Sequence, residues 1–298
     1  MKRELSPAKL GFCMNLPSIS FLLVVLLYPI TFAAYLSFHK VGLREIRSGL
    51  FPFYGFENFW RLFEDDLYWI SLKHTLIFTG FVVPVELVLS VGVAILINQS
   101  NIWSSRISRI LVLVPYAIPP IASSMIWEFV YNEKFGYLNR FLFSLGIIDE
   151  YIGWSTNVNS AIFAVAIAYI WRTVPFSILL VHAALQGIPK DLYDAANVDG
   201  ANTWRTFWNV TLPLLRPVIV VTLILRTTFA IMVFEEVMAI THGGPGDATW
   251  MAAWYTYITT FEAPFNIGMG SASAYVLAMI SAFLAIFYVK FIYKRIDW

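Results

Sequence analysis

Three charged side chains sit where a charge is hard to place. Glu86, Arg172 and Arg226 fall near the middle of long apolar runs. Insertion scales put an arginine at the centre of a membrane helix at about +2.5–3.5 kcal/mol. Such groups must face a protein interior and find partners. Two readings follow: a polar path through a membrane, or a structural ion pair of Glu86 with Arg172 or Arg226. Arg226 is poorly placed to pair with Glu235 or Glu236 on a shared helix, because nine or ten residues at 1.5 Å rise separate them by roughly 14 Å. That acidic pair is expected near the external mouth or against an external receptor. Tyr169, Phe176, Phe234, Trp127 and Trp171 supply aromatic surface that can line an apolar cavity with a few polar groups. For Trp127 interface anchoring is the better reading.

Other chemistries are not written in the chain. His39, His74, His182 and His242 lie in different segments, and none falls in an H-E-x-x-H spacing. No nucleophile stands beside a base at a recognisable spacing. The single cysteine, Cys13, rules out an intramolecular disulfide or a cysteine-rich metal site. No G-x-x-x-x-G-K-[ST] phosphate loop is present. The expectation is no catalytic residue, no metal and no cofactor on this chain.

The elements that must position these residues are membrane helices. Of the 298 residues, 59% are hydrophobic, 17% aromatic and 13% charged, about half the charged share of a soluble domain. Net charge +1 argues against a nucleic-acid binder. A bilayer core about 30 Å thick takes about 20 helical residues. Six runs qualify: 16–38, 76–97, 110–130, 161–181, 218–240 and 272–291. The first follows Lys2, Arg3 and Lys9, but it is longer than a signal-peptide core and reads as a retained helix. The predicted fold class is all-α integral membrane, one transmembrane domain over residues 1–298. Pro84, Pro115, Pro119, Pro120 and Pro175 interrupt three spans as kinks, which membrane helices tolerate when freed carbonyls are satisfied locally.

Charge sets the expected orientation. With the N-terminus inside, Lys2, Arg3, Lys9, Arg106, Arg109, Lys190, Arg205, Arg216, Lys290, Lys294 and Arg295 are cytoplasmic. The outer set is smaller and lies on longer loops: Lys40, Arg44, Arg47, Arg61, Lys73, Lys134 and Arg140. The bias toward the cytoplasm places both termini inside. Outside, Phe56, Phe59, Trp60, Phe63, Leu67 and Ile70 share one helical face, predicting an amphipathic helix along the interface. Residues 131–160 carry Gly136, Gly146 and Gly153 and read as irregular. Gly243-Gly244-Pro245-Gly246 is a strong turn signal.

Between the fourth and fifth spans lies Tyr193–Pro217, within a polar loop over 186–217. Pro189 suits a first helical turn and Asp191 the positive end of its dipole. Leu192, Ala195 and Ala196 share a face; Gly200 breaks the helix; Asn202 or Thr203 can cap a second one. There Trp204, Phe207 and Trp208 again share a face, and Pro213 and Pro217 mark re-entry into the membrane. Periodicity alone fits equally a loop packed on its own bundle or a docking surface for a cytoplasmic partner.

The wording of the segment resembles the E-A-A-x-x-x-G-x(9)-I-x-L-P signature of ABC importer permeases. Ala195, Ala196, Gly200, Leu212 and Pro213 match, Val210 stands at the Ile position, and Asp194 replaces the leading Glu with a shorter carboxylate. Asp199-Gly200-Ala201 matches a frequent D-G-A, and Leu185–Pro189 is similar to the run before the signature in carbohydrate importers. Gly243-Gly244-Pro245 with Thr249 and Trp254–Tyr257 resembles the maltose-type first permease; Gly55–Phe59 and Gly136–Asn139 are further landmarks. The resemblance implies a coupling helix at Asp194, Ala195, Ala196, Asp199, Gly200, Ala201, Leu212 and Pro213 that docks on a cytoplasmic ATPase. It implies a second homologous permease, two ATPase subunits carrying ATP and Mg, an external solute-binding protein and a carbohydrate or polyol cargo, in the plasma membrane among its lipids. An ion-gradient-driven transporter with Glu86 as carrier is the rival reading, and an integral-membrane enzyme is a third.

Overall fold

The computed structural model describes residues 7–99, 102–262 and 264–292. Lys2, Arg3, Lys294 and Arg295 lie outside the described residues, as do the side chains of Lys9, Cys13, Arg106 and Arg109. Among the described residues every regular element is helical, with only two isolated β-bridges, His39 with Phe53 and Gly42 with Asn266. Five helices are long and apolar enough to cross a membrane: Met14–Ser37, Asp66–Gln99, Val158–Gln186, Thr203–Ile231 and Ile267–Phe291. A bent pair, Ile110–Ala117 with Pro120–Tyr131, brings the number to six when it is taken as one span.

The chain divides into two compact units, Met1–Asp65 with Thr256–Val276 and Asp66–Tyr255 with Leu277–Trp298. In the first, helices Pro7–Leu22 and Tyr28–Ser37 run through a π-helical turn at Leu23–Leu27. Short helices Leu43–Ser48 and Glu57–Glu64 follow. Buried Asn58 ties the second of these back to the first rod, donating to the carbonyls of Ser37 at 2.8 Å and His39 at 2.9 Å. Gly268 allows this close approach, since a Cβ there would lie 2.5 Å from the His39 carbonyl oxygen.

The second unit is built around helices Asp66–Gln99 and Val158–Gln186, its most extensive pairing. Ala94, Ile97, Ile178, Val181, Leu185, Leu215 and Ile219 form one core cluster. Lipid supplies no hydrophobic drive between helices, so close packing of such side chains carries the association. Tyr131, Ala164, Ala168 and Ile240 form another, where the Tyr131 hydroxyl donates to the Ala164 carbonyl at 3.0 Å. Asparagine-capped starts are used twice: Asn157 accepts from the Asn159 amide, and Asn202 from that of Arg205.

Several sequence expectations need correction. The run 110–130 is not one helix: its two halves meet at 98° around Ile118-Pro119. Pro120 drives Pro119 out of the helical region, to φ −54 and ψ 140, and Pro119 itself has no N–H to continue the ladder. The run 218–240 is helical only to Ile231; Met232 ends it, and a π-helical turn at Val237–Thr241 follows separately. The interface helix over Phe56–Ile70 is two helices, interrupted at Asp65 with φ −83 and ψ 110. Its inward face carries Asn58 and Leu62, while Phe56, Trp60 and Phe63 are exposed. Residues 131–160 are not wholly irregular, because Tyr137–Ser144 is helical. Buried Asn139 organises this segment: its amide nitrogen donates to the Ile152 carbonyl at 2.8 Å, and its oxygen accepts from Trp154 Nε1 at 2.8 Å. The turn at Gly243–Gly246 forms, with left-handed φ at Gly243 and Gly246.

Candidate functional site

Two groups of residues in the second unit stand out. The first is an elbow. Helix Lys190–Val198 starts at Pro189 with Asp191 in its first turn, where a carboxylate suits the helix dipole. It ends at Asp199, and Gly200 turns the chain with φ 72, a left-handed conformation that favours glycine. The Ala201 amide closes the turn on the Ala196 carbonyl at 2.9 Å. Asn202 caps the next helix, its oxygen 2.9 Å from the Arg205 amide. From there Thr203–Thr206, the π-helical turn Phe207–Thr211 and Leu212–Ile231 follow without a gap. The second arm of the elbow is thus the start of a spanning helix, and Pro213 sits in the first turn of its α-helical part.

The elbow's apolar stripe is not folded onto its own bundle. Val198 is 88% exposed, Trp204 69% and Trp208 49%. Asp194, Ala195, Asp199 and Gly200 are exposed too; Ala196, Ala201, Leu212 and Pro213 are half-buried. The Tyr193 hydroxyl lies 3.3 Å from that of Thr211, linking the two arms. A cavity of ≈870 Å³ lies behind the elbow, bordered by Asn98, Gln186, Lys190, Asn197 and Phe207.

The second group is a buried charged cluster. Arg172, on Val158–Gln186, makes an ion pair with Glu236, Nη2 to Oε1 at 2.8 Å and Nε to the same oxygen at 3.0 Å. The adjacent Thr173 hydroxyl, 2.7 Å from the Tyr169 carbonyl, also hydrogen-bonds Glu86 on Asp66–Gln99. Arg226 places its guanidinium 5.0 Å from the Phe176 ring centre and 5.8 Å from that of Phe229. These are cation–π distances, and they reward a desolvated arginine. Phe176 stacks in turn on Tyr116 at 5.5 Å. Tyr116, Tyr169, Arg172, Thr173, Arg226, Phe229, Glu235 and Glu236 border a cavity of ≈300 Å³.

Glu86, Arg172, Arg226 and Tyr169, picked from sequence, therefore come together, and Phe176 joins them through Arg226. Phe234 does not line the cavity: its ring stacks near Trp254 at 5.8 Å. Trp127 and Trp171 meet edge to face at 5.8 Å, and Trp127 packs on the Tyr131 cluster. Of the two ion pairs considered for Glu86, the one with Arg172 is not formed, because Arg172 is held by Glu236, whereas Arg226 acts on Glu86 electrostatically. Of the acidic pair expected near the external mouth or a receptor, Glu236 is 1% exposed and held by Arg172. The 14 Å spacing along one helix does not apply, since the helix stops at Ile231. Thr173, Phe229 and Tyr116 were missed; only Thr173, directly after Arg172, carried a signal. Among the described residues no cluster of three His, Cys, Asp or Glu could hold a metal.

Comparison with known proteins matches residues 86–297 to the family described as binding-protein-dependent transport system inner membrane component. The chain is 35% identical to the trehalose/maltose transport system permease protein MalF of Thermococcus litoralis, over 97% of this chain and 95% of that one. It is also 35% identical to the sulfoquinovosyl glycerol transport system permease protein SmoG of Agrobacterium fabrum, over 97% and 92%. A bacterial ABC transporter involved in importing the acidic polysaccharide alginate has a chain of the same fold, with TM-score 0.79, 21% identity and 94% of each chain covered. The family match over residues 86–297 supports the importer reading over the ion-gradient carrier and the membrane enzyme. The chain belongs to the binding-protein-dependent transport family, as an inner-membrane permease subunit of an ABC importer.

Proposed function

We propose that the chain is one of two homologous permease subunits in an ATP-driven carbohydrate importer, working as a single transmembrane domain over residues 1–298. Both termini and the loop 186–217 face the cytoplasm. The complex carries two ATPase subunits, which bind ATP and Mg; one of them docks on this elbow, and an external solute-binding protein delivers the sugar. Membrane lipid covers the exposed apolar helices. The carbohydrate class is supported by the names of the relatives, which include trehalose/maltose and lactose permeases.

One observation carries the coupling assignment: exposed Trp204 and Trp208 stand on a helix that continues to Ile231. From Trp204 to Arg226 is 22 residues, about 33 Å at 1.5 Å per residue. A rigid-body shift at the elbow is thereby delivered to the buried cluster through one element. ATP-driven closure of the ATPase pair biases two packings of the bundle, and Asp194, Ala195, Ala196, Asp199, Gly200, Ala201, Leu212 and Pro213 transmit that bias. Glu86, Arg172, Arg226, Tyr169, Phe176 and Phe234 mark the substrate path.

The test is sugar uptake into vesicles carrying the reconstituted complex. Uptake requires ATP and the binding protein and survives an uncoupler. Uptake by this chain alone, or uptake that collapses with the ion gradient, defeats the proposal.

A further inference from the structure

The ≈300 Å³ cavity carries an unusual set of unmet polar groups. The Tyr169 hydroxyl, Arg226 Nε and Glu236 Oε2 are buried among its lining residues, and among the described residues none has a hydrogen-bond partner. Glu86 Oε2, behind Thr173, is in the same condition. Buried polar groups normally find partners, so each orphan points to an occupant. Here one orphan only donates, two only accept as carboxylates, and the tyrosine hydroxyl does both.

The charges lining the cavity balance. Arg172 and Arg226 face Glu235 and Glu236, and Arg172 is already held by Glu236. Arg226 and Arg172 are also the cations that act electrostatically on Glu86. By count the two guanidiniums are matched by two carboxylates, which an incoming anion would also meet. A cation would meet two arginines. An apolar group would cover the orphaned atoms without bonding them, and a buried polar group without a bond is costly. Hydroxyl groups, each both donor and acceptor, fit the three orphaned atoms of the lining residues without adding charge. Rings of Tyr116 and Phe229 supply the apolar wall that a sugar face packs on. The volume lies at the small end of the usual range for ligand sites, about 300–1,000 Å³.

We infer that this cavity takes the uncharged, hydroxylated part of the cargo and rejects an anionic group at that place, through Arg226, Tyr169 and the paired carboxylates. The inference rests on the importer reading above. It separates this chain's site from cargo classes that its relatives' names also span, since sulfoquinovosyl glycerol and glycerol-3-phosphate carry an acid group and maltose does not.

The experiment is ligand binding to the purified importer complex, without the binding protein, by saturation-transfer NMR. The probes are maltose and digalacturonate at matched concentrations. Maltose binds, and digalacturonate binds at least tenfold more weakly. Tyr169→Phe weakens maltose about fivefold. Glu235→Gln, at a half-buried position, strengthens digalacturonate relative to maltose at least tenfold, because one carboxylate no longer opposes the arginines. Equal or tighter digalacturonate binding by the unaltered complex overturns the inference, as does a Glu235→Gln complex with an unchanged ratio. If digalacturonate is imported with ATP and the binding protein, the importer reading stands and only the charge assignment fails. If no sugar binds and none is transported, both fail.

Discussion

The elbow at residues 190–217 and the charged cluster around Arg172 are opposite solutions to placing polar groups in a membrane protein. The elbow is contiguous in sequence, exposed, and held by local bonds such as Ala201 to Ala196 and Arg205 to Asn202. The cluster joins Glu86 to Thr173 across 87 positions and Arg172 to Glu236 across 64, and it is buried. An exposed site can lose a side chain with little cost to folding, so it is free to carry an interaction. A buried ionic site is tied to stability first, because each member left alone is a charge out of water. Changes in the cluster should therefore lower stability and function together, while changes in the elbow should lower function alone.

The largest effect is expected from Glu236→Ala. It strands Arg172, and breaking one side of a buried pair typically costs about 3–5 kcal/mol. The purified complex should melt several degrees lower and accumulate poorly in membranes. The double variant Arg172→Met with Glu236→Leu should regain most of that stability, since an apolar pair of similar volume is often as stable as the ions. An unchanged melting temperature for Glu236→Ala breaks the comparison at its buried end.

Next comes Gly200→Pro. Proline holds φ near −65°, whereas Gly200 sits at 72. The turn must re-form, yet no neighbour lies within 4 Å of a Cβ there, so the damage stays local. Sugar-stimulated ATP hydrolysis and uptake should both fall at least tenfold with normal amounts of protein in the membrane. Asp194→Lys, which reverses the exposed charge at the signature's first position, should act in the same direction. Wild-type coupling in both variants removes the docking role. Trp204→Ala sharpens the contrast: at 69% exposure its stability change should stay within about 0.5 kcal/mol, while coupling drops severalfold.

The same contrast explains what the sequence revealed. The helical class and six spans follow from apolar run length, because a bilayer demands that every backbone group be satisfied within its own helix. The elbow was legible almost residue by residue: Pro189, Gly200 and Asn202 all act through local backbone geometry, and a local rule needs no knowledge of the fold. Arg172 and Glu236 were each flagged, yet their pairing was not. It depends on the helix stopping at Ile231, and no proline or glycine marks that stop in the apolar run 218–240. The bend at Pro119-Pro120 was visible as a kink, but its 98° was not, because the angle depends on what each half packs against. Thr173, Tyr116 and Phe229 were missed for a related reason: a threonine or an aromatic in a membrane run is ordinary until the neighbouring helices are in place.

The smallest effect tests whether the elbow's shape is set by its cap or by its cross-link. Asn202 accepts the Arg205 amide at 2.9 Å, and replacing such a cap by alanine costs about 1 kcal/mol. The Tyr193–Thr211 hydroxyl contact at 3.3 Å is longer and joins the arms from the other side. If the cap dominates, Asn202→Ala should speed hydrogen exchange at Thr203–Thr206 about fivefold and halve coupled uptake, and Asn202→Ser, which keeps a capping oxygen, should restore both. Tyr193→Phe should then change neither. If instead Asn202→Ala matches the native protein and Tyr193→Phe does not, the elbow is held by a contact 18 positions apart, and it resembles the buried cluster more closely than its exposure implies.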